Sequence, residues 1–510
     1  MRFNRRHRVR GWVVAAITMS LLVAVTSTSA PGTVGQSDAD DAAGVVSSQQ
    51  AVRPQLPSRV NFALRPSQSS EPISAEAVRR RVQQAWKSPR LGDVDARAIV
   101  VRDAISGEEL VDLSGDEPLT PASLTKVVSA AAIMAVLPPE HTFATRVVRG
   151  PTPRDVVVVA GGDQLLSGGN GSARAVAGRA GLSDLAGQTA RSLAASDDAT
   201  TEPVRVWLDT AYADGPSRPP GWTDFWLDNG FAGRITMLGL EQDRALPYDP
   251  SPRDPAMVAA QSFRESLAKE GISVADGQIE RVDADSRPSA DEAVQRRATP
   301  DEDESPPRDQ ASSTAQAGMQ TLAEVESAPL RDVLALALAT SDNAMIEQLS
   351  RQAALADGAA TDQDSINAWV LRTLSSSYDI DTSQAELVDT SGLSDGTKVS
   401  MEMIAQTLVA GTSGRYPALQ SVLTGLPIAG LSGTLTDRFG ADSQAAGRGV
   451  VRAKTGSLPQ VTSLAGTVNT RDGRLLVFAM TSNDVDGGPA GIETRAAIDD
   501  MVASLAACGC

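Results

Sequence analysis

The stretch Ser123–Leu137, introduced by Pro118 and Pro121, is a run of small and apolar residues interrupted by the single charge of Lys126. As a helix it has no polar stripe, so it is expected to be buried on nearly all sides, with other elements packed around it. A chain of 510 residues can build such a core. It also exceeds what one core usually serves, so two or more domains are expected.

The surrounding pattern is mixed. Ser74 to Trp86 predicts a capped helix; Arg97–Ala104 and Leu110–Leu113, joined by Ile105-Ser106-Gly107-Glu108, predict a hairpin. Strands are expected over Thr142–Arg149 and Val156–Val159. A mixed region with an aromatic Trp222/Trp226 loop follows, with an amphipathic helix from Pro255 to Glu270 that Gly271 ends. Leu330–Ala339, Ala344–Leu355 and Asp364–Leu374 predict helices. Arg452–Lys454, Thr462–Val468 and Leu475–Thr481 predict strands before a closing helix over Ile492–Leu505. The fold class is therefore α/β in the α+β sense, a sheet flanked by helices and interrupted by an insertion.

Two segments lack the composition of a core. Residues 31–72 are rich in Ser, Gln, Pro and Ala and suit a tether. Residues 283–317 are acidic and polar and are expected to form a disordered loop. Ahead of the tether, Arg2, Arg5, Arg6, Arg8 and Arg10 precede an apolar run from Gly11 to Val25. This is the pattern of an export signal over residues 1–30, either cleaved near Ala30 or kept as an anchor.

Composition excludes several functions. The net charge of −17 argues against a nucleic-acid partner, since phosphate binding needs a basic face. The histidines are His7, within the export signal, and His141, too few for a Ser-His-Asp hydrolase or a catalytic zinc site. Neither a metal nor a cofactor is expected. Cys508 and Cys510, two residues apart, are expected to stay as thiols on a frayed tail. The lysines are Lys87, Lys126, Lys269, Lys398 and Lys454, while arginine is abundant. Each retained lysine therefore marks a place where a compact or tunable amine has a use.

Ser-x-x-Lys sets a hydroxyl and an amine one helical turn apart, so a neutral lysine can take the serine's proton. It occurs at Ser123/Lys126 and at Ser266/Lys269. The second lies at a polar helix end and reads as a solvated surface; the first opens the buried helix. Ser341-Asp342-Asn343 falls at a break between helices, where a hydroxyl and an amide can project into a cleft, although Ser365-Ile366-Asn367 has the same spacing. Lys454-Thr455-Gly456, followed by Ser457, ends a strand. It offers a positive charge, hydroxyls for an anionic group, and a glycine that lets a ligand near the strand edge. Each pattern alone has an ordinary structural explanation. Together, in this order and holding two of the five lysines, they point to one site.

The combination resembles the penicillin-recognising serine transferases. Gly161-Gly162-Asp163, Asp389-Thr390-Ser391-Gly392-Leu393-Ser394, and Leu426-Pro427-Ile428-Ala429-Gly430 with Gly433-Thr434-Leu435 narrow it to the class C low-molecular-mass penicillin-binding proteins, the D-Ala-D-Ala carboxypeptidase/endopeptidase family. The resemblance implies a transpeptidase/β-lactamase-like domain over 73–150 and 327–510, interrupted by inserted domains over 151–326. It implies Ser123 as acylated nucleophile, Lys126 as its base and Ser341 as a proton relay. Asn343 would orient the peptide, and Lys454, Thr455, Gly456 and Ser457 would hold the terminal carboxylate. Peptidoglycan stem peptides are then the substrate and β-lactams covalent inhibitors, outside the cytoplasm. An exported wall-binding scaffold without turnover is the alternative, and a β-lactamase a further one. Glu386 does not suit the deacylating role that a β-lactamase would need.

Overall fold

The computed structural model describes residues 73–196, 202–282, 320–485 and 488–510. The segments expected to be an export signal, a tether and a disordered acidic loop lie outside the described residues.

One antiparallel sheet has the strand order β10-β11-β12-β1-β2, built from β1 (Arg97–Asp103), β2 (Glu109–Leu113), β10 (Val451–Leu458), β11 (Val461–Asn469) and β12 (Leu475–Ser482). Both of its faces are covered, so a central strand such as β12 is apolar at consecutive positions rather than alternating. On one face Ile99, Val101, Phe478 and Met480 pack against α1 (Ala75–Trp86) and the terminal helix α11 (Pro489–Ala506). On the other, Val100, Val477 and Ala479 meet the cluster around α2 (Thr125–Val136).

The helix α2 is the centre of the molecule's largest core. It is surrounded by α6 (Leu330–Thr340), α7 (Asn343–Ala356), α8 (Gln363–Tyr378), α9 (Met401–Thr412) and α10 (Pro417–Leu423). This agrees with the absence of a polar stripe in its sequence. The expected single helix from Ser123 begins instead as a 3-10 turn, Ala122–Leu124, before the α-helical ladder takes over at Thr125.

A second, mixed sheet has the order β8-β6-β4-β3-β9: β3 (Ala144–Arg149), β4 (Asp155–Val159), β6 (Arg205–Asp209), β8 (Glu280–Arg281) and β9 (Thr321–Glu326). Its own core includes Val156, Val158 and Leu208 with α3 (Leu182–Ala194) and α5 (Pro255–Lys269). The strand β3 ends one residue before the expected boundary at 150, yet it lies between β4 and β9 of this sheet. A short parallel pair, β5 (Asp163–Leu166) with β7 (Leu238–Leu240), completes the described strands.

The C-terminal expectation is corrected. Cys508 and Cys510 are joined as a disulfide, and their segment is not frayed. Cys508 is buried, its carbonyl accepts the N–H of Arg471 at 3.0 Å, and the Cys510 carbonyl accepts the N–H of Ser74 at 2.9 Å. Docking of the tail holds the two side chains together, which spacing alone could not reveal. Among the described residues, no helix is long and apolar enough to cross a membrane.

Candidate active site

Three segments from distant parts of the chain converge. The first is the turn that carries Ser123. Ala122 holds φ +50°, the left-handed region that costs a side-chain-bearing residue about 1 kcal/mol or more, and the Thr125 hydroxyl ties its carbonyl at 2.9 Å. The cost is local and orients Ser123 at the head of α2. One turn on, Lys126 is fully buried, and its Nζ donates to Ser123 Oγ at 2.9 Å, Asn343 Oδ1 at 2.6 Å and the Ser391 carbonyl at 2.7 Å.

The second segment is the break between α6 and α7. Ser341 caps α6 in the left-handed region at φ +58°. Asp342 caps α7, one carboxylate oxygen accepting the N–H of Met345 at 3.0 Å and the other held by Arg244 at 2.8 and 3.0 Å. Asn343, the first residue of α7, spends its oxygen on Lys126 and its nitrogen on the Phe231 carbonyl at 2.7 Å.

The third segment is β10, an edge strand. Lys454, fully buried, donates to Ser341 Oγ at 2.9 Å and to the Thr455 carbonyl at 2.7 Å; Thr455 Oγ1 bonds Thr434 Oγ1 at 2.9 Å. Gly456 has a reason beyond ligand access. A Cβ there would lie 2.1 Å from Ser463 Oγ and 2.8 Å from the Pro121 carbonyl, so the glycine lets β10 press against the Ser123 turn. Ser457 is exposed at the end of the strand.

A loop beneath Lys126 supports all three. Asp389, fully buried, accepts N–H groups from Ser391, Gly392, Leu393 and Ser394, and the Trp222 indole N–H at 2.9 Å. Gly392 takes φ +74°, and a Cβ on it would strike the Ala122 carbonyl at 2.1 Å.

Burial acts on both amines of the site. Burial lowers the Lys126 amine to about 8, against the opposing pull of Asp389, Glu347 and Asp342. The Lys454 amine is pushed well below its usual value by burial, then by the charge of Lys126. Both shifts disfavour the charged forms, and the charge of Lys126 opposes that of Lys454. The three acceptors at its Nζ and the nearby carboxylates favour charge on Lys126.

The competing sequence patterns lie elsewhere. Ser266 is buried against Ser183 at 3.4 Å with Lys269 exposed. Asn367 accepts from Gln363 and donates to the Leu387 carbonyl, a structural role. Glu386 is exposed and its backbone pairs with Lys398. The His141 ring meets Phe143 edge-on with centroids 5.0 Å apart. Asp163 is buried beside Gly162, whose carbonyl accepts from Gln348 of α7; burial raises its carboxyl to about 7. Sequence reasoning missed Glu347, Thr434 and the Trp222–Asp389 bond. Thr434 and Asp389 lay in stretches that carried the resemblance without an assigned role, and the local signal for Glu347 was its position one helical turn after Asn343.

The architecture is that of a penicillin-binding protein: penicillin-binding protein 4 of Haemophilus influenzae superposes with a TM-score of 0.60 at 17% identity, covering 84% of this chain and 98% of that one. The chain matches the D-Ala-D-Ala carboxypeptidase 3 (S13) family over residues 78–248 and 309–505, and it belongs to that family. It is similar over its whole length to the carboxypeptidase DacB of Mycolicibacterium smegmatis, 32% identical over 519 residues with both proteins fully covered. A D-alanyl-D-alanine carboxypeptidase of an Actinomadura species is 27% identical over 478 residues, covering 80% of this chain and 81% of that one. The chain is a D-Ala-D-Ala carboxypeptidase by family.

Proposed function

We propose that this carboxypeptidase is of the serine type, working through an acyl-enzyme on Ser123, outside the cytoplasm, on peptidoglycan stem peptides. The observation that carries the reading is the fully buried Lys126 amine, 2.9 Å from Ser123 Oγ and lowered to about 8. The terminal carboxylate of the peptide enters beside β10 and is held by Lys454, Thr455 and Ser457, with Gly456 keeping the strand close to Ser123. On this reading the two buried amines share one proton, held at rest by Lys126, and the charge of the carboxylate draws it onto Lys454, which leaves Lys126 neutral. Lys126 then takes the Ser123 proton as Oγ attacks the carbonyl between the two D-alanines. The N–H groups of Ser123 and Ser457 receive the developing oxyanion. Ser341 passes a proton to the departing amine, D-alanine leaves, and water hydrolyses the ester. Asn343 orients Lys126 and the peptide.

The same steps on a cross-link give endopeptidase activity, and a β-lactam stops at the ester. Residues 1–30 act as the export signal or an outer-face anchor. The catalytic domain comprises 73–150 and 327–510, except that β3 pairs within the second sheet, with 151–326 as an inserted body whose Trp222 and Arg244 brace the site. Support for the insertion comes from the separate core behind the second sheet.

The test is cleavage of the terminal bond in a peptide ending in D-Ala-D-Ala, read as D-alanine, set against its C-terminal amide, read as D-alaninamide, across pH 5–10. The expected result is release from the acid and at least tenfold slower release from the amide. The sign of the pH dependence follows from the shared proton. The resting and reactive tautomers hold the same number of protons, so kcat/KM is level near neutrality. It falls above about 8, as the pair loses its last proton and the carboxylate meets an uncharged Lys454. A kcat/KM that climbs through pH 8 would mean that Lys454 is already charged at rest.

A further inference from the structure

Glu347 is a glutamate that the proposed chemistry leaves unused, yet it is buried at 2% exposure one helical turn below Asn343. Its Oε1 accepts the N–H of Thr390 at 2.9 Å and of Ser391 at 2.8 Å; its Oε2 accepts the Thr390 hydroxyl at 2.8 Å and the Gln363 amide at 3.3 Å. All but the last of these partners belong to the loop whose Ser391 carbonyl holds Lys126 Nζ and whose Thr390 carbonyl accepts the Ser129 hydroxyl at 2.6 Å. Helix α7 thus reaches Lys126 twice: directly through Asn343, and through Glu347 by way of the loop.

We infer that Glu347 is a positioning residue for acylation: it fixes the backbone of Thr390 and Ser391 so that the Ser391 carbonyl directs Lys126 Nζ at Ser123 Oγ. This rests on the Ser123–Lys126 reading above. Reach, not charge, is what the role requires. The groups facing Glu347 include Asp389 from the loop, Arg351 from its own helix and Lys126 from α2. Burial, then the like charge of Asp389, raises the Glu347 carboxyl to about 8, while the bonds its two oxygens accept favour the ionised form. Glutamine has the same length, and its carbonyl oxygen can accept both loop N–H groups. Aspartate keeps the acid but falls one methylene short of them.

The experiment compares Glu347→Gln and Glu347→Asp with the parent in stopped-flow acylation by a fluorescent penicillin. The acylation rate constant, the apparent dissociation constant of the encounter complex and the labelled fraction are read separately, with melting temperatures alongside. Glu347→Gln is expected within about threefold of the parent rate constant, and Glu347→Asp at least thirtyfold slower, both with the encounter constant unchanged. A residue that only stabilised the fold would move the labelled fraction and the melting temperature and leave the rate constant alone. A Glu347→Asp rate within threefold of the parent would overturn the inference, as would a Glu347→Gln rate as slow as that of Glu347→Asp. Labelling of the parent is scored first. If its adduct does not lie on Ser123, the underlying reading fails and this inference with it, whereas a Ser123 adduct with unaltered variant kinetics contradicts this inference alone.

Discussion

Replacing Lys126 with methionine slows acylation of the protein by about 10³-fold, the scale of losing a positioned general base, while the fold survives. Methionine nearly matches the length of the lysine stem and suits a site with no solvent exposure. Removing a buried ammonium also removes its desolvation cost, which offsets the two acceptors left without a donor, Asn343 Oδ1 and the Ser391 carbonyl. The melting temperature therefore moves by only a few degrees while labelling by a fluorescent penicillin nearly stops. Unfolding of the variant would assign Lys126 a structural role; labelling at the parental rate would remove it from the chemistry.

The second large effect is on stability. Asp389→Ala withdraws the acceptor shared by four backbone N–H groups and the Trp222 indole, all inside the protein. Orphaned buried donors cost far more than the net worth of the bonds they lose, and a loss of about 4 kcal/mol is expected, read as the shift in the urea midpoint. Because this loop also holds Lys126, folded Asp389→Ala protein should acylate slowly too. A midpoint shift below about 1 kcal/mol would mean that water replaces the carboxylate at little cost.

Much of the site was readable because its chemistry is local. Ser123 and Lys126 are one helical turn apart, Ser341 and Asn343 flank a helix break, and Lys454-Thr455-Gly456 lies on a strand whose apolar neighbours mark it as such. The lysine scarcity then separated Lys126 from the exposed Lys269. What was not readable depends on pairings between distant residues. Nothing near Glu347 announces a bond to Thr390, 43 residues away. Gly456 looked like a concession to ligand and proved also to be one to Pro121 and Ser463. The burial of Lys454 was hidden for a related reason: burial depends on what covers a residue, and the covering residues come from other segments. Likewise the cysteine tail was judged by spacing, when docking against Ser74 and Arg471 decided it.

The fold also explains why so few residues carry the chemistry. Helix α2 is held on all sides, so Ser123 and Lys126 sit on a rigid mount. The break between α6 and α7 and the edge strand β10 close on it from elements that the same core fixes. On the proposed reading, preorganisation of this kind is what lets a weak nucleophile and a lysine base do without a catalytic histidine.

The most direct measurement is peptide mapping by mass spectrometry after the folded protein has met a penicillin, alongside Ser123→Ala. The account predicts one stable adduct, on Ser123, and none in a folded Ser123→Ala variant. An adduct on another residue, or persistent labelling of Ser123→Ala, would contradict it.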